Sequence, residues 1–168
     1  GIVAVFLLCL AALFAPWLAP HDPLLLDTKT RFIAPLTSLA FPLGTDELGR
    51  DMLARLIYGG RLSLFVGILP VIFAFVIGTS LGLVAGYVGG KVNTAIMRTV
   101  DVFYAFPSIL LAIAICGILG NGLRNAILAL AIVFIPPLVR VSETVTTQAR
   151  QLDFVEAARA SGTTTMQI

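Results

Sequence analysis

The sequence predicts an all-α membrane protein, a bundle of apolar helices, on three observations. Of the 168 residues, 58% are hydrophobic and only 12% are charged, about half the charged fraction of an ordinary soluble domain. Eleven basic and nine acidic side chains are too few to cover a surface that faces water. Apolar runs of about 20 residues recur along the chain, and that length crosses a hydrocarbon core of about 30 Å. Soluble globular domains, disordered chains and disulfide scaffolds are therefore excluded.

Four segments are predicted to span the membrane, and they are residues 1–20, 62–88, 99–120 and 123–141. The first could instead be a signal peptide. It lacks a basic leading region, however, and Pro16-Trp17-Leu18 makes a poor cleavage site, so a true span is favoured. Because the chain starts at Gly1 and stops at Ile168 without a terminal pattern, we expect a piece of a longer membrane protein.

Residues 21–61 form a long polar loop between the first two spans. Three prolines interrupt its first half, which is predicted to be extended. From Asp46 onward the pattern becomes helical, with Asp46 as the cap and Arg55 late in the helix, where the helix dipole favours a base. A short helix at the membrane interface is the prediction for this half.

Basic residues near the spans favour a cytoplasmic C-terminal tail. The second link carries Lys91 and Arg98, and the tail carries Arg140 and Arg150, whereas the short third link holds Arg124. Basic links lie preferentially on the cytoplasmic side. The 21–61 loop holds five basic residues and argues the other way, but long loops count for less.

A row of glycines marks the second span. Gly78, Gly82 and Gly86 recur every four residues, and Gly67 lies three helical turns earlier on nearly the same face. Small residues at this spacing let a second helix approach closely. Helix packing is the favoured interpretation, and a substrate pathway along this face is the minor one.

Asp101 is an acid at the start of the third span, where it needs a partner. Arg98 lies three residues earlier on the same helix face and is predicted to pair with it. A proton-relay role is the alternative. Pro107 is expected to kink this span and Pro136-Pro137 the next, with a tight turn at Asn121-Gly122 between them.

The tail from Asp153 to Gly162 predicts a short helix, which Asp153 caps and Gly162 ends. Its alanines leave a smooth face. That face is either an ordinary exposed surface or a docking surface for a partner.

Chemistry-bearing patterns are few. Cys9 and Cys116 lie in apolar runs and are interpreted as inert membrane residues. With His21 as the single histidine, we expect no catalytic group and no metal site. The net charge of +2 indicates no basic face for nucleic acid.

The tail resembles a known family. Glu156-Ala157-Ala158, followed three residues later by Gly162, resembles the EAA motif of permease subunits of bacterial ABC importers. Gly44-Thr45-Asp46, with Gly49-Arg50-Asp51, resembles the GTDxxGRD signature of the dipeptide/oligopeptide/nickel permeases, on the DppC/OppC branch. Further matching blocks are Ala85-Gly86-Tyr87, Met97-Arg98 to Asp101 and Ala105-Phe106-Pro107-Ser108.

This resemblance implies a type I importer permease in the bacterial inner membrane, of which the chain would hold about four of six spans. It implies an extracytoplasmic first loop and a cytoplasmic coupling helix over 153–162, with Glu156, Ala157, Ala158 and Gly162 docking on an ATPase. The implied partners are two ATP-binding subunits that hold ATP and Mg²⁺, a sister permease and an extracytoplasmic solute-binding protein, with no cofactor in this chain.

Peptides are the first expected substrate, and nickel or another small solute is the alternative. An ion-coupled secondary carrier is a weaker rival, because it would need paired acids within the membrane. A non-transporting membrane scaffold that holds a partner through the tail is the remaining one.

Overall fold

The computed structural model describes residues 1–162, apart from the side chains of Glu156 and Arg159. The chain divides into two compact units, Gly1–Gly67 and the part from Ile68 onward. Its α-helices are α1 Ile2–Leu13, α2 Ala15–Leu18, α3 Met52–Val88, α4 Gly90–Tyr104, α5 Ser108–Leu119, α6 Leu123–Arg150 and α7 Asp153–Ala160. The predicted all-helical fold class is confirmed.

The 1–20 run forms two short helices. At about 1.5 Å per residue, the 12 residues of α1 reach about 18 Å, which is less than the hydrocarbon core. A proline at position 16 removes the N–H that would continue the α1 hydrogen bonds, and the chain turns at Phe14 before α2. The proposal that this segment spans the membrane stays a prediction.

The second apolar run belongs to a longer helix than predicted. α3 holds 37 residues and starts at Met52, so the expected interfacial helix and the span from residue 62 are one element. Asp46 is not its cap. Asp51 fills that place, because its Oδ1 accepts a hydrogen bond of 2.9 Å from the N–H of Leu53 in the first turn.

The predicted kink at Pro107 is present. α4 and α5 meet at an angle of 89° across residues 105–107, so the third apolar run is a broken span or a re-entrant segment. By length and composition α3 and α6 are each able to cross a membrane, and the bent pair counts as a third span if it crosses as one.

Glycines bring α3 and α6 into backbone contact in the second unit. A Cβ built on Gly78 would lie 2.8 Å from Cβ of Leu138, and one built on Gly82 would lie 2.5 Å from the carbonyl oxygen of Val139. At Gly86 it would lie 2.7 Å from Cβ of Thr146. These distances are shorter than real Cβ contacts, so no side chain fits between the helices.

Gly67 differs from the other three glycines. It is exposed, and a Cβ there would meet nothing within 4 Å in the described part of the chain. The packing role proposed for Gly67 therefore has no contact behind it in this structure.

Candidate functional site

We call residues 44–51, which carry the GTDxxGRD pattern, the signature loop. Its two glycines have the left-handed backbone conformation. Gly44 and Gly49 both have φ near +75°, which side chains rarely adopt. A Cβ on Gly44 would collide with the carbonyl oxygen of Ile33, and one on Gly49 with that of Asp27. The two glycines therefore allow residues 44–49 to pack directly on the backbone of residues 27–33.

Asp46 is the charged centre of this loop. Its Oδ1 accepts from the N–H groups of Leu48 and Arg50 at 2.9 and 3.0 Å. Its Oδ2 accepts from Arg50 Nε at 2.7 Å and Arg55 Nη1 at 2.6 Å. Desolvation raises the pKa of the Asp46 carboxyl, but the backbone hydrogen bonds, the Arg50 side chain and its charge outweigh that and hold the pKa at about 2.

Thr45 and Asp51 complete the loop from inside. The Thr45 hydroxyl accepts from the N–H of Ile33 at 3.0 Å and donates to the carbonyl of Thr30. Asp51 is only 2% exposed and accepts from His21 Nδ1 at 2.9 Å. Sequence reasoning missed His21 as a partner, because 30 residues separate the two and no local pattern links them.

His21 also stacks on Phe41, with ring centroids 4.8 Å apart. The six signature residues Gly44, Thr45, Asp46, Gly49, Arg50 and Asp51 thus build a fixed structure at the start of α3. Besides each other and their own loop, they contact the start of α3, where Arg55 bonds to Asp46 and the N–H of Leu53 bonds to Asp51.

Asp101 pairs with a different base than predicted. Arg140 Nη2 of α6 donates to Asp101 Oδ1 at 2.7 Å, while the side chain of Arg98 is exposed. The Arg140 guanidinium also lies 4.5 Å from the centre of the Tyr104 ring. The packing of α4 on α6 therefore decides the partner of Asp101, because the attraction between charges three residues apart within α4 is weak.

The tail helix α7 follows α6 after only two residues. Val155 is its buried residue, 5% exposed. It lines a groove of about 520 Å³ together with Leu83 and Tyr87 of α3 and Val145 and Ala149 of α6. One face of α7 therefore borders the two long helices across this groove.

The proposed coupling residues lie on α7 or just beyond its end. Ala157 is exposed and Ala158 is half-buried. Gly162 has φ +77° just beyond the helix end, as a helix-terminating glycine does. The backbone of Glu156 lies within α7, but its side chain is outside the described residues.

A polar link between helices was not predicted. Asn93 Nδ2 of α4 donates to Glu143 Oε1 of α6 at 2.6 Å. Glu143 is half-buried, although its surroundings in sequence, Ser142 and Thr144, resemble an exposed polar stretch. The hydrophobic pattern of α6 carries no signal for this contact, because it depends on where α4 packs.

Residues 78–168 match the family described as binding-protein-dependent transport system inner membrane component. The chain is 42% identical to the di/tripeptide transport system permease protein DppC of Pseudomonas aeruginosa, over 100% of this chain and 57% of that relative. It is 37% identical to the dipeptide transport system permease protein DppC of Haemophilus influenzae, over 96% and 56% of the two chains.

A third relative is the glutathione transport system permease protein GsiD of Pectobacterium atrosepticum. The identity is 42%, over 94% of this chain and 52% of that relative. The chain thus spans about half the length of the curated relatives it matches.

These matches cover the apolar helices and the motif blocks together. They confirm the resemblance drawn from the sequence and the placement in the inner membrane. The chain belongs to the family of binding-protein-dependent transport system inner membrane components, as a permease.

Proposed function

We propose that this chain is part of a permease subunit of an ATP-driven importer, and that α7 is the helix through which an ATPase subunit moves it. The observation that carries the proposal is the two-sided character of α7. Val155 is buried on the side that lines a groove with α3 and α6, while Ala157, two residues later, is exposed. A step of two residues turns a helix by about 200°, so Ala157 faces away from the bundle.

A small exposed residue on that face suits close docking, because it keeps the partner's backbone near the helix. Coupling also requires that motion of α7 reaches the bundle. The buried side of α7 meets this requirement in the proposal, because a displacement of α7 is transferred to α3 and α6. In this proposal two ATP-binding subunits hold ATP and Mg²⁺ and carry out hydrolysis. The permease itself is not an enzyme.

Short peptides are the proposed substrate. Support comes from the three relatives, which are named as permeases of di/tripeptide, dipeptide and glutathione transport systems. A sister permease would complete the pathway, and an extracytoplasmic solute-binding protein would deliver the peptide. Nickel, the alternative from sequence, is supported by none of those names.

The test uses the full-length permease assembled with its ATPases, sister permease and binding protein in proteoliposomes. We expect ATP-dependent uptake of a labelled dipeptide and no competition from nickel. Ala157→Leu is expected to reduce both uptake and peptide-stimulated ATPase activity, because the larger side chain separates α7 from its partner.

Ala114→Leu is the matched control, since Ala114 is also exposed but lies on α5. It should leave both activities near those of the unmodified protein. Peptide uptake that needs no ATP, or full ATPase stimulation in Ala157→Leu, would contradict the proposal.

A further inference from the structure

Glu143 places a carboxylate at the contact of three helices. Asn93 Nδ2 donates to it at 2.6 Å, and the Thr147 hydroxyl of the same helix donates at 3.1 Å. Both donors are neutral. A half-buried carboxylate held by neutral donors is costly in a membrane bundle, so apolar packing alone does not account for this residue.

Asn93 extends the contact to the third helix. The same Nδ2 lies 3.3 Å from the carbonyl oxygen of Ala85 in α3. One amide group of α4 therefore joins α3 and α6, and we call Ala85, Asn93 and Glu143 the three-helix clasp. Hydrogen bonds are directional, so the clasp fixes the axial register of helices that smooth glycine packing would allow to slide.

The glycine row converges on the same point. A Cβ on Gly82 would lie 2.9 Å from the backbone nitrogen of Glu143, and a Cβ on Gly86 would lie 2.8 Å from its carbonyl oxygen. The backbones of α3 and α6 are thus in close contact at the residue where the clasp also joins them to α4. Close packing and directional bonding act on one residue.

The clasp lies close to the tail helix. Glu143 is seven residues before Arg150, the end of α6, which is about 10 Å along a helix. A Cβ on Gly89, at the corner between α3 and α4, would lie 2.9 Å from Arg150 Nη1. The end of α6 therefore lies close to the corner that links α3 to α4.

We propose that Asn93 and Glu143 are positioning residues that make α3, α4 and α6 move as one body when α7 is displaced. This inference rests on the proposed function, since it assigns the step between the docked tail helix and the helices of the pathway. Without the clasp, α7 would still move α6, but α4 would not follow in register. ATP would then be hydrolysed with little import.

The first experiment measures peptide imported per ATP hydrolysed by the full-length permease in its assembled complex. In Glu143→Ala we expect this ratio to fall by roughly fivefold to 150-fold, the usual range for coupling between sites, while ATPase activity persists. Glu143→Gln should keep most of the ratio, because its amide oxygen still accepts from Asn93. Thr144→Ala is the control, since among the described residues that exposed hydroxyl donates to the backbone carbonyl of Arg140 in its own helix.

An unchanged ratio in Glu143→Ala would overturn the inference, and so would equal losses in Glu143→Gln and Glu143→Ala. The unmodified complex tests the proposed function separately, because absence of ATP-driven peptide uptake there would refute that function and not the clasp.

A second variant replaces the clasp by a covalent link between α4 and α6. Asn93→Cys with Glu143→Cys, in a background lacking Cys9 and Cys116, is joined by a short reversible thiol-reactive cross-linker. If α4 and α6 move as one body, the double variant without the cross-link should import as little per ATP as Glu143→Ala, and cross-linking should restore the ratio. Loss of import on cross-linking, with recovery on reduction, would show that the helices must separate and would refute the inference.

Discussion

The signature loop and the helix pair α3–α6 are held by opposite means. In the loop, charged and polar side chains reach backbone groups, as Asp46 and Thr45 do. In the helix pair the contact surfaces are glycines, with one hydroxyl bond of 3.1 Å from Ser142 to the carbonyl of Thr79 as a polar addition.

The difference follows from the solvent of each region. At the exposed positions of a polar loop water competes for every polar group, so many directional bonds are needed to hold one conformation. Apolar helices in a membrane gain little from burying their side chains against each other, because the lipid tails are equally apolar. Close backbone approach and a few polar bonds therefore supply the stability. Loss of a polar side chain should therefore destabilise the loop most. A larger side chain in place of a glycine should destabilise the helix pair most.

The largest effect is expected for Gly82→Ala. The added methyl would lie 2.5 Å from the carbonyl oxygen of Val139, and the two backbones would have to separate. Overpacking of this kind costs about 1–3 kcal/mol. Thermal unfolding of the purified permease in detergent, followed by circular dichroism, measures the loss.

Gly67→Ala is the matched control on the same helix. Nothing described lies within 4 Å of its Cβ position, and alanine favours the helix by about 0.5–1 kcal/mol. Equal destabilisation by both substitutions would mean that close packing at Gly82 is not the cause.

A smaller, pH-dependent effect is expected for Asp46→Asn. The folded loop holds the pKa of Asp46 at about 2, below the ordinary 3.8. The stabilisation from this lowered pKa is therefore complete above about pH 4 and is lost as the pH falls through 2. Asparagine removes the charge and hence this pH dependence.

Hydrogen exchange of amides 44–50, corrected for intrinsic rates, is the measurement. The unmodified loop should lose protection between pH 4 and 2, and the variant should be less protected at pH 7 and lack that step. Asp22→Asn is the control, because the exposed Asp22 accepts only from the N–H of Leu24. An acid step that survives in Asp46→Asn would refute the assignment.

The smallest effect is expected for Arg140→Gln. Arg140 and Asp101 form a direct ion pair of 2.7 Å, but their side chains are 48% and 49% exposed. Exposed pairs contribute about 0–1 kcal/mol, and stacking on Tyr104 adds little more. Unfolding measured at low and high salt should show a small loss that shrinks with salt. A loss above about 2 kcal/mol would show that the pair is desolvated.

Local chemistry made part of this structure predictable. The four-residue glycine spacing and the proline at 107 act through their own backbone, so a row of small residues and a broken helix are visible in sequence. The start of α3 differs from the prediction by five residues, because Asp46 and Asp51 are equally good caps locally and only the packed loop decides between them.

The long-range polar partners were not predictable. His21 with Asp51 and Asn93 with Glu143 are separated by 30 and 50 residues, and Arg140 replaced Arg98 as the partner of Asp101. Each pairing depends on which helix or loop segment lies nearby in space, and periodicity along one element does not carry that information. Sequence reasoning therefore placed the helices better than the contacts between them.

Because α3 is longer than the bilayer core is thick, the thickness of the bilayer should affect how this helix is tilted. Its 37 residues reach about 55 Å, and the uncharged part from residue 62 to 88 reaches about 40 Å, against a core of about 30 Å. Such mismatch is relieved by tilt or by local thickening of the lipid. Because Gly78, Gly82 and Gly86 fasten α3 to α6, a change in tilt is shared by both helices. The acyl-chain length of the surrounding lipid should therefore change the tilt of α3 and α6, the same helices that the tail helix would move.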